Sequence, residues 1–344
     1  MNKNLITCPN GIPERKKEWY VFLAGPIQGA PDWQFDMPDI KNVVWLSPRR
    51  QTYVNFDYEE QTLWEQKMMS IADVILFWIP NQKEKVAGRE YAQTTRTEFG
   101  EYLGRGKKVM IGIEDDKFSG YRYFVTKSKQ YKTNVNNSLS ELISELKEYI
   151  SECEKNKTVY FTSDTHFSSD RALELSKRPF LDVDDMDLKL IEKWNNTVKP
   201  CDVLIHCGDF GDYSKIKYLN GKEINLLFGN YEYKEIGNTS SKEYAEMLKA
   251  EYGFDKIFIK PTKIKINKNY FVIGHEPIET KDFSDKNGNI FCLFGHIHGR
   301  QKIKKFGMDV GTDSNNYMPI SIDDVLFYKN AIEKGFYDNE VFIQ

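Results

Sequence analysis

Short apolar runs alternate with longer amphipathic stretches from residue 19 onwards. WYVFLA (19–24), VVWL (43–46), VILFWI (74–79) and KVMIGI (108–113) are strand-sized, and helical patterns fill 57–71 and the region near 90–103. Strands separated by helices predict a parallel α/β sheet. Residues 138–153 place Leu139, Leu142, Ile143, Leu146 and Ile150 on one helical face, with Ser138 or Ser140 available as cap. The polar stretch Glu154-Lys155-Asn156-Lys157 then reads as a join. A second series of strands follows at 159–162, 202–206, 224–228, 269–274 and 290–294, separated by helices and turns. It predicts a layered α/β/β/α sandwich with mixed strand pairing. The expected organisation is an extension (1–18), a first domain (19–153), a linker (154–157) and a second domain (158–344).

A chain of 344 residues is long enough for two cores. Its longest apolar runs are far short of a membrane span, and its start lacks a secretory apolar stretch. The five cysteines are scattered without a CxxC pair, which favours a reducing cytoplasm over a disulfide framework or zinc knuckle. Net charge is −3, with 23 basic and 22 acidic residues up to residue 157 and 25 and 29 beyond it. Neither half carries the basic excess of an extended nucleic-acid surface. Small molecules are the expected partners, with no membrane; self-association through the first half is a further expectation.

All five histidines lie between residues 166 and 298. Asp164-Thr165-His166, Gly208-Asp209, Gly229-Asn230, Gly274-His275 and Gly295-His296-Ile297-His298 each follow a predicted strand. Glycine at these rims allows a sharp turn, so that the next side chains converge. Imidazole and carboxylate donors in one ordered set point to a transition-metal site suited to Mn²⁺, Fe or Zn²⁺ rather than Ca²⁺. His206, inside a strand, reads as a packed histidine.

This order resembles the calcineurin-like metallophosphoesterase family over about residues 158–327, including Arg178-Pro179-Phe180, Met186-Asp187, Trp194-Asn195 and Asp309-Val310-Gly311. The resemblance implies one ion on Asp164, His166, Asp209 and His298, with Asp209 bridging to a second ion on Asn230, His275 and His296. It makes Asp209, Asn230 and His275 catalytic, since paired ions about 3.5–4 Å apart clamp a phosphate and activate water. Arg171 and Arg178 are candidates for steadying phosphate oxygens. One position departs from the family pattern: Tyr231 stands where a histidine usually serves the leaving group. A phenol donates a hydrogen bond but is a weak proton source near neutrality. An active variant favouring good leaving groups is the expectation, with Tyr231 at the substrate.

In the first half, YVFLAGPI (20–27), LWEQKMMSIADVILFWIP (63–80) and TTRTEFGEYLGRGKKVMIGI (94–113) resemble the nucleoside 2-deoxyribosyltransferase-like family over about residues 19–126. That likeness implies a flavodoxin-like parallel sheet, Glu98 as nucleophile on an anomeric carbon and Glu65 as a nucleobase contact. Gly25 and Pro26 would form the pocket floor. Glu98, read at the start of a helix, is expected to stay ionised through the helix dipole. Arg49 and Arg96 are candidates for a 5′-phosphate. Ala92-Gln93-Thr94-Thr95 lacks the further acidic residue often found before the nucleophile. The whole therefore reads as a bifunctional nucleotide-processing enzyme, or as a phosphoesterase whose first domain senses nucleotides. A pair of degenerate domains acting as a scaffold is the third reading.

Overall fold

Apolar strands of four to six residues build the interior of both halves in the computed structural model, which describes residues 4–12, 17–52 and 56–342. The chain divides into two compact units, 1–156 and 157–344.

The first unit runs β1 (Leu5–Thr7), β2 (Trp19–Ala24), β3 (Val43–Ser47), α1 (Tyr58–Ile71), β4 (Val74–Ile79), α2 (Gln93–Gly104), β5 (Val109–Ile113), α3 (Tyr121–Gln130), β6 (Val135–Asn136) and α4 (Leu139–Lys155). All strands pair in parallel, in the order β1-β3-β2-β4-β5-β6. Every residue of β2 and β4 is buried, as expected of central strands covered on both faces. From β3 to β6 the order is that of a doubly wound flavodoxin-like sheet, whose switch point lies between β2 and β4. Asp57 starts α1 by accepting from the amides of Glu59 and Glu60. Ser138 starts α4, which buries Leu142, Ile143, Leu146 and Ile150.

Two expected boundaries move. β1 lies within the stretch read as an extension and adds a strand to the sheet beside β3. Glu154 and Lys155 continue α4, so the join shrinks to the residues after it.

The second unit runs β7 (Val159–Thr162), α5 (Asp170–Leu175), α6 (Val183–Thr197), β8 (Val203–His206), β9 (Glu223–Leu227), α7 (Asn230–Glu235), α8 (Ser241–Tyr252), β10 (Lys256–Phe258), β11 (Thr262–Ile266), β12 (Asn269–Ile273), α9 (Pro277–Lys286), β13 (Cys292–Phe294), β14 (Ile303–Lys304), β15 (Gly307–Asp309), β16 (Ile320–Ser321) and α10 (Ile322–Glu333). One sheet is ordered β10-β9-β8-β7-β16 and the other β11-β12-β13-β15-β14. Parallel pairs at their centres give way to antiparallel pairs at β16, β11 and β14. Phe161, Ile205 and Leu227 of the first sheet join Phe271, Ile273, Leu293 and Met308 of the second in one core. Fully buried apolar side chains of this size each contribute about 1.5–3 kcal/mol, so this layer dominates the unit's stability. Phe283 of α9 covers the outer face of the second sheet over Val272, Cys292 and Phe294. The result is a mixed α/β sandwich with its chemistry at the strand ends. No helix among the described residues is long and apolar enough to cross a membrane.

Candidate metal centre and a second carboxylate site

β7, β8, β9, β12 and β13 all end at one rim, and backbone bonds fasten their loops together there. The amide of Asp164 donates to Gly208 O (3.0 Å) and that of His166 to Asp209 O (3.1 Å). The amide of His296 donates to both carboxylate oxygens of Asp164, at 3.1 and 2.9 Å. Asp164, His166, Asp209 and His275 are buried, Asn230 and His298 half-buried, and His296 exposed. The site therefore opens to solvent on the His296 side.

Five of the seven candidate ligands adopt left-handed backbone: Asp164, His166, Asp209, His296 and His298. Such conformations are costly for non-glycine residues and gather where function requires them. Gly208 turns with φ +100° as expected, whereas Gly295 and Gly229 serve differently. At Gly295 a Cβ would lie 2.1 Å from Ser163 Oγ and 2.2 Å from Asp164 Oδ2, and at Gly229 it would lie 2.3 Å from Asp209 Oδ1. The role of these two is to leave room for the carboxylates.

The donor atoms fit cations. Donor atoms of Asp164, His166 and His298 lie within 4.8 Å of one another, as do those of Asp164, Asp209 and His275. His275 Nδ1 lies 2.9 Å from the Cys207 carbonyl and donates to it, so that in the neutral ring Nε2 carries the lone pair. That lone pair faces Asp209 Oδ2 at 3.3 Å and Asn230 Oδ1 at 3.0 Å. His296 Nδ1 joins them, 3.0 Å from the same amide oxygen. Acceptors this close need a proton or a metal ion among them. Burial opposes a charge on His275, yet its hydrogen bond to Asp209 and the charges of Asp164 and Asp209 carry its pKa up to about 10. Burial outweighs the same carboxylates at His166 and brings it down to about 4, a neutral imidazole suited to ligation.

His206 is packed, as its position in β8 suggested. Thr165 Oγ1 donates to Phe210 O and accepts from His206 Nε2 at 2.9 Å. Burial lowers the pKa of His206 to about 3.

Arg178 is a correction. Its guanidinium is buried and donates to Asp313 Oδ1 and Oδ2, to the carbonyls of Thr165 and Asp164, and to Thr312 Oγ1. No fork remains for a phosphate. Arg171 is exposed on the first turn of α5. Tyr231 does reach the site: its ring meets that of His166 edge-on, with centroids 4.8 Å apart.

Glu232 was missed. Its buried carboxylate accepts from the amides of Asp209 (2.9 Å), Phe210 (2.9 Å) and Gly229 (2.7 Å), clamping two ligand loops together. Burial and the nearby Asp209 push it up to about 7 against those bonds. The signal was present in Gly229-Asn230-Tyr231-Glu232, a glutamate three residues into a helix that can bond back to its start.

In the first unit, Glu65 and Glu98 share one neighbourhood, close enough for the charge of one to raise the pKa of the other. Gln61 donates to Glu65 Oε1 (2.7 Å) and accepts from Arg50 (2.7 Å), so a side-chain chain orients Glu65. Burial raises the pKa of Glu65. Gly25 ends β2 where a Cβ would lie 2.3 Å from the Trp78 carbonyl, at the switch point between β2 and β4, and the buried Pro26 follows it. Two expectations fail here. Glu98 lies in the second turn of α2, beyond reach of its dipole, and burial with Glu65 and Glu101 pushes it up to about 8. Arg49 is buried against Asp32, Gln34 and the carbonyls of Ile27 and Pro31, and so fastens a loop rather than awaiting a phosphate. Arg96 is half-buried on α2.

The calcineurin-like phosphoesterase superfamily domain matches residues 158–310. The second unit is thus similar to calcineurin-like phosphoesterase domains. Such domains use a pair of divalent metal ions, and the donor set described above is present in this one. Residues 18–117 match the nucleoside 2-deoxyribosyltransferase-like family. The chain is 26% identical over 191 residues to the uncharacterized protein MJ1445 of Methanocaldococcus jannaschii, covering 52% of this chain and 93% of that one. Among solved structures, it resembles a protein of unknown function, AQ665, from Aquifex aeolicus (21% identity, TM-score 0.41, covering 50% of this chain and 100% of that one). It also resembles an archaeal phosphodiesterase (22%, TM-score 0.30, 45% and 83%) and Yfce, a phosphoesterase from E. coli (16%, TM-score 0.23, 45% and 78%).

Proposed function

We propose that this chain is a bifunctional nucleotide-processing enzyme: a binuclear-metal phosphoester hydrolase fused to a unit that cleaves or exchanges an N-glycosidic bond. The observation that carries the first activity is the convergence of Asp209 Oδ2 and Asn230 Oδ1 on His275 Nε2, 3.3 and 3.0 Å from the imidazole nitrogen, where a metal ion would take the place of the shared proton. Asp164, His166, Asp209 and His298 would hold one ion, and Asp209, Asn230, His275 and His296 the other. Mixed imidazole and carboxylate donors suit Mn²⁺, Fe or Zn²⁺. When bound, such a pair neutralises phosphate charge and makes water a nucleophile at neutral pH. The chain's own contribution is placement: Glu232 holds the loops of Asp209 and Asn230, and Tyr231 borders the site where the leaving group would lie. None of the five cysteines forms a disulfide, which suits a reducing cytoplasm.

For the first unit, Glu98 is the proposed nucleophile and Glu65 the base contact, with Gly25 and Pro26 beneath the substrate. A second reading is favoured by one observation: a carboxyl with a pKa of about 8 is mostly neutral at pH 7, a state that binds rather than attacks. In that reading the unit is a nucleotide sensor. Incubation with nucleosides, deoxynucleotides and dinucleotides separates the two. Free base that disappears in Glu98→Gln, with phosphoesterase turnover unchanged, supports the enzyme. Tight binding with no base released from any of them supports the sensor.

A further inference from the structure

We infer that Asp313, locked in place by Arg178, is the positioning residue that presents His298 to a metal ion; this rests on the metal-centre reading above. His298 Nδ1 lies 2.9 Å from Asp313 Oδ2. An ionised carboxylate only accepts, so the imidazole proton sits on Nδ1 and the Nε2 lone pair is left for the metal. Nε2 indeed faces inward, 3.8 Å from Asp164 Oδ1. Unassisted, imidazole is free to choose either tautomer and to rotate, and a carboxylate partner removes both freedoms.

Asp313 is itself over-determined. Arg178 grips it with two bonds, Nε to Oδ1 and Nη2 to Oδ2, both 2.9 Å. The same guanidinium donates to the carbonyls of Asp164 (2.6 Å) and Thr165 (2.8 Å). Thr312, next to Asp313, donates to the Asp164 carbonyl as well (2.8 Å). One buried unit thus ties the loop after β7, bearing Asp164 and His166, to His298 beyond β13. Among the described residues no carboxylate holds His275 Nδ1, which donates to a backbone carbonyl instead. The unit therefore serves one side of the centre only. Ser176 Oγ also lies near His298 Nδ1, at 3.1 Å, and is the competing partner.

Metal-free full-length protein titrated calorimetrically with Mn²⁺ tests this. Asp313→Asn keeps the shape but removes the charge, and should weaken one of two sites by about 10–100-fold while the other keeps its affinity. Ser176→Ala should leave both affinities unchanged. Unchanged binding in Asp313→Asn, or the loss appearing in Ser176→Ala instead, would overturn the inference. A measurement on the wild type needs no variant to fold: long-range ¹H–¹⁵N spectra of ¹⁵N-histidine-labelled, metal-free protein should show His298 protonated on Nδ1. A neutral ring protonated on Nε2, with Nδ1 bare, would overturn it. Wild-type protein that takes up no Mn²⁺ would instead sink the metal-centre reading itself, a result visible before any variant is made.

Discussion

Tyr231 rests its ring edge on His166, 4.8 Å between centroids, while its backbone amide donates to Asp209 Oδ1 at 2.9 Å. The residue proposed to border the leaving group is thus anchored to two candidate ligands of the metal centre. Its side chain carries a phenol where proton delivery would favour an imidazole.

Tyr231→His should raise turnover of alkyl phosphates more than that of nitrophenyl esters. Poor leaving groups need a proton, and general acid help is worth about 10²–10⁴-fold. Steady-state kinetics on one ester of each class provides the check. Equal effects on both would remove Tyr231 from leaving-group chemistry.

Glu98 makes a pH prediction whose sign follows from burial. Its pKa is about 8 in the folded chain against about 4.3 for a free glutamate, so folding favours its protonated form. The associated stability is fully present below pH ~4.3 and lost as pH rises through about 8. Glu98→Gln should therefore raise the melting temperature of the first unit relative to wild type at pH 8.5, with the gap closing by pH 5. A gap independent of pH would mean the carboxyl is not strained by burial. If Glu98 is the nucleophile, base release by the wild type should climb over the same interval, because only the ionised form attacks.

Gly295→Ala should damage the metal centre without a backbone cause. The new methyl would sit 2.2 Å from Asp164 Oδ2 and 2.1 Å from Ser163 Oγ. Overpacking of this kind typically costs about 1–3 kcal/mol. Thermal melting should show that loss, and calorimetry a weaker uptake of Mn²⁺. Wild-type behaviour in both would show that the loop yields easily.

Local chemistry made the centre of each sheet and the ordered ligand motifs readable in the sequence. VILFWI in β4 needs no context to be a buried strand, and aspartate, asparagine and histidine directly after successive strands imply a shared rim. The edge strands β6, β14 and β16 escaped because they have two residues each, too few for any periodicity to register. Arg178 and Arg49 were misassigned for one common reason. An arginine beside a functional motif looks the same in sequence whether its partner is a ligand or a distant carboxylate. Asp313 lies 135 positions from Arg178, and only folding reveals that they meet. Glu98 was misread because α2 already opens at Gln93, five residues before it, which puts Glu98 in the second turn and not at the helix start.

Metal reconstitution tests the central claim most directly. Protein stripped by a chelator should lose hydrolysis of an aryl phosphodiester or phosphomonoester, and Mn²⁺ should restore it as bound metal approaches two ions per chain, counted by elemental analysis. His298→Ala and Asp209→Ala should each fail to recover, with Asp209→Ala disturbing both ions because its carboxylate lies between His166 and His275 (3.6 and 3.3 Å). Full hydrolysis by metal-free protein, or near-wild-type activity in either variant, would contradict the account.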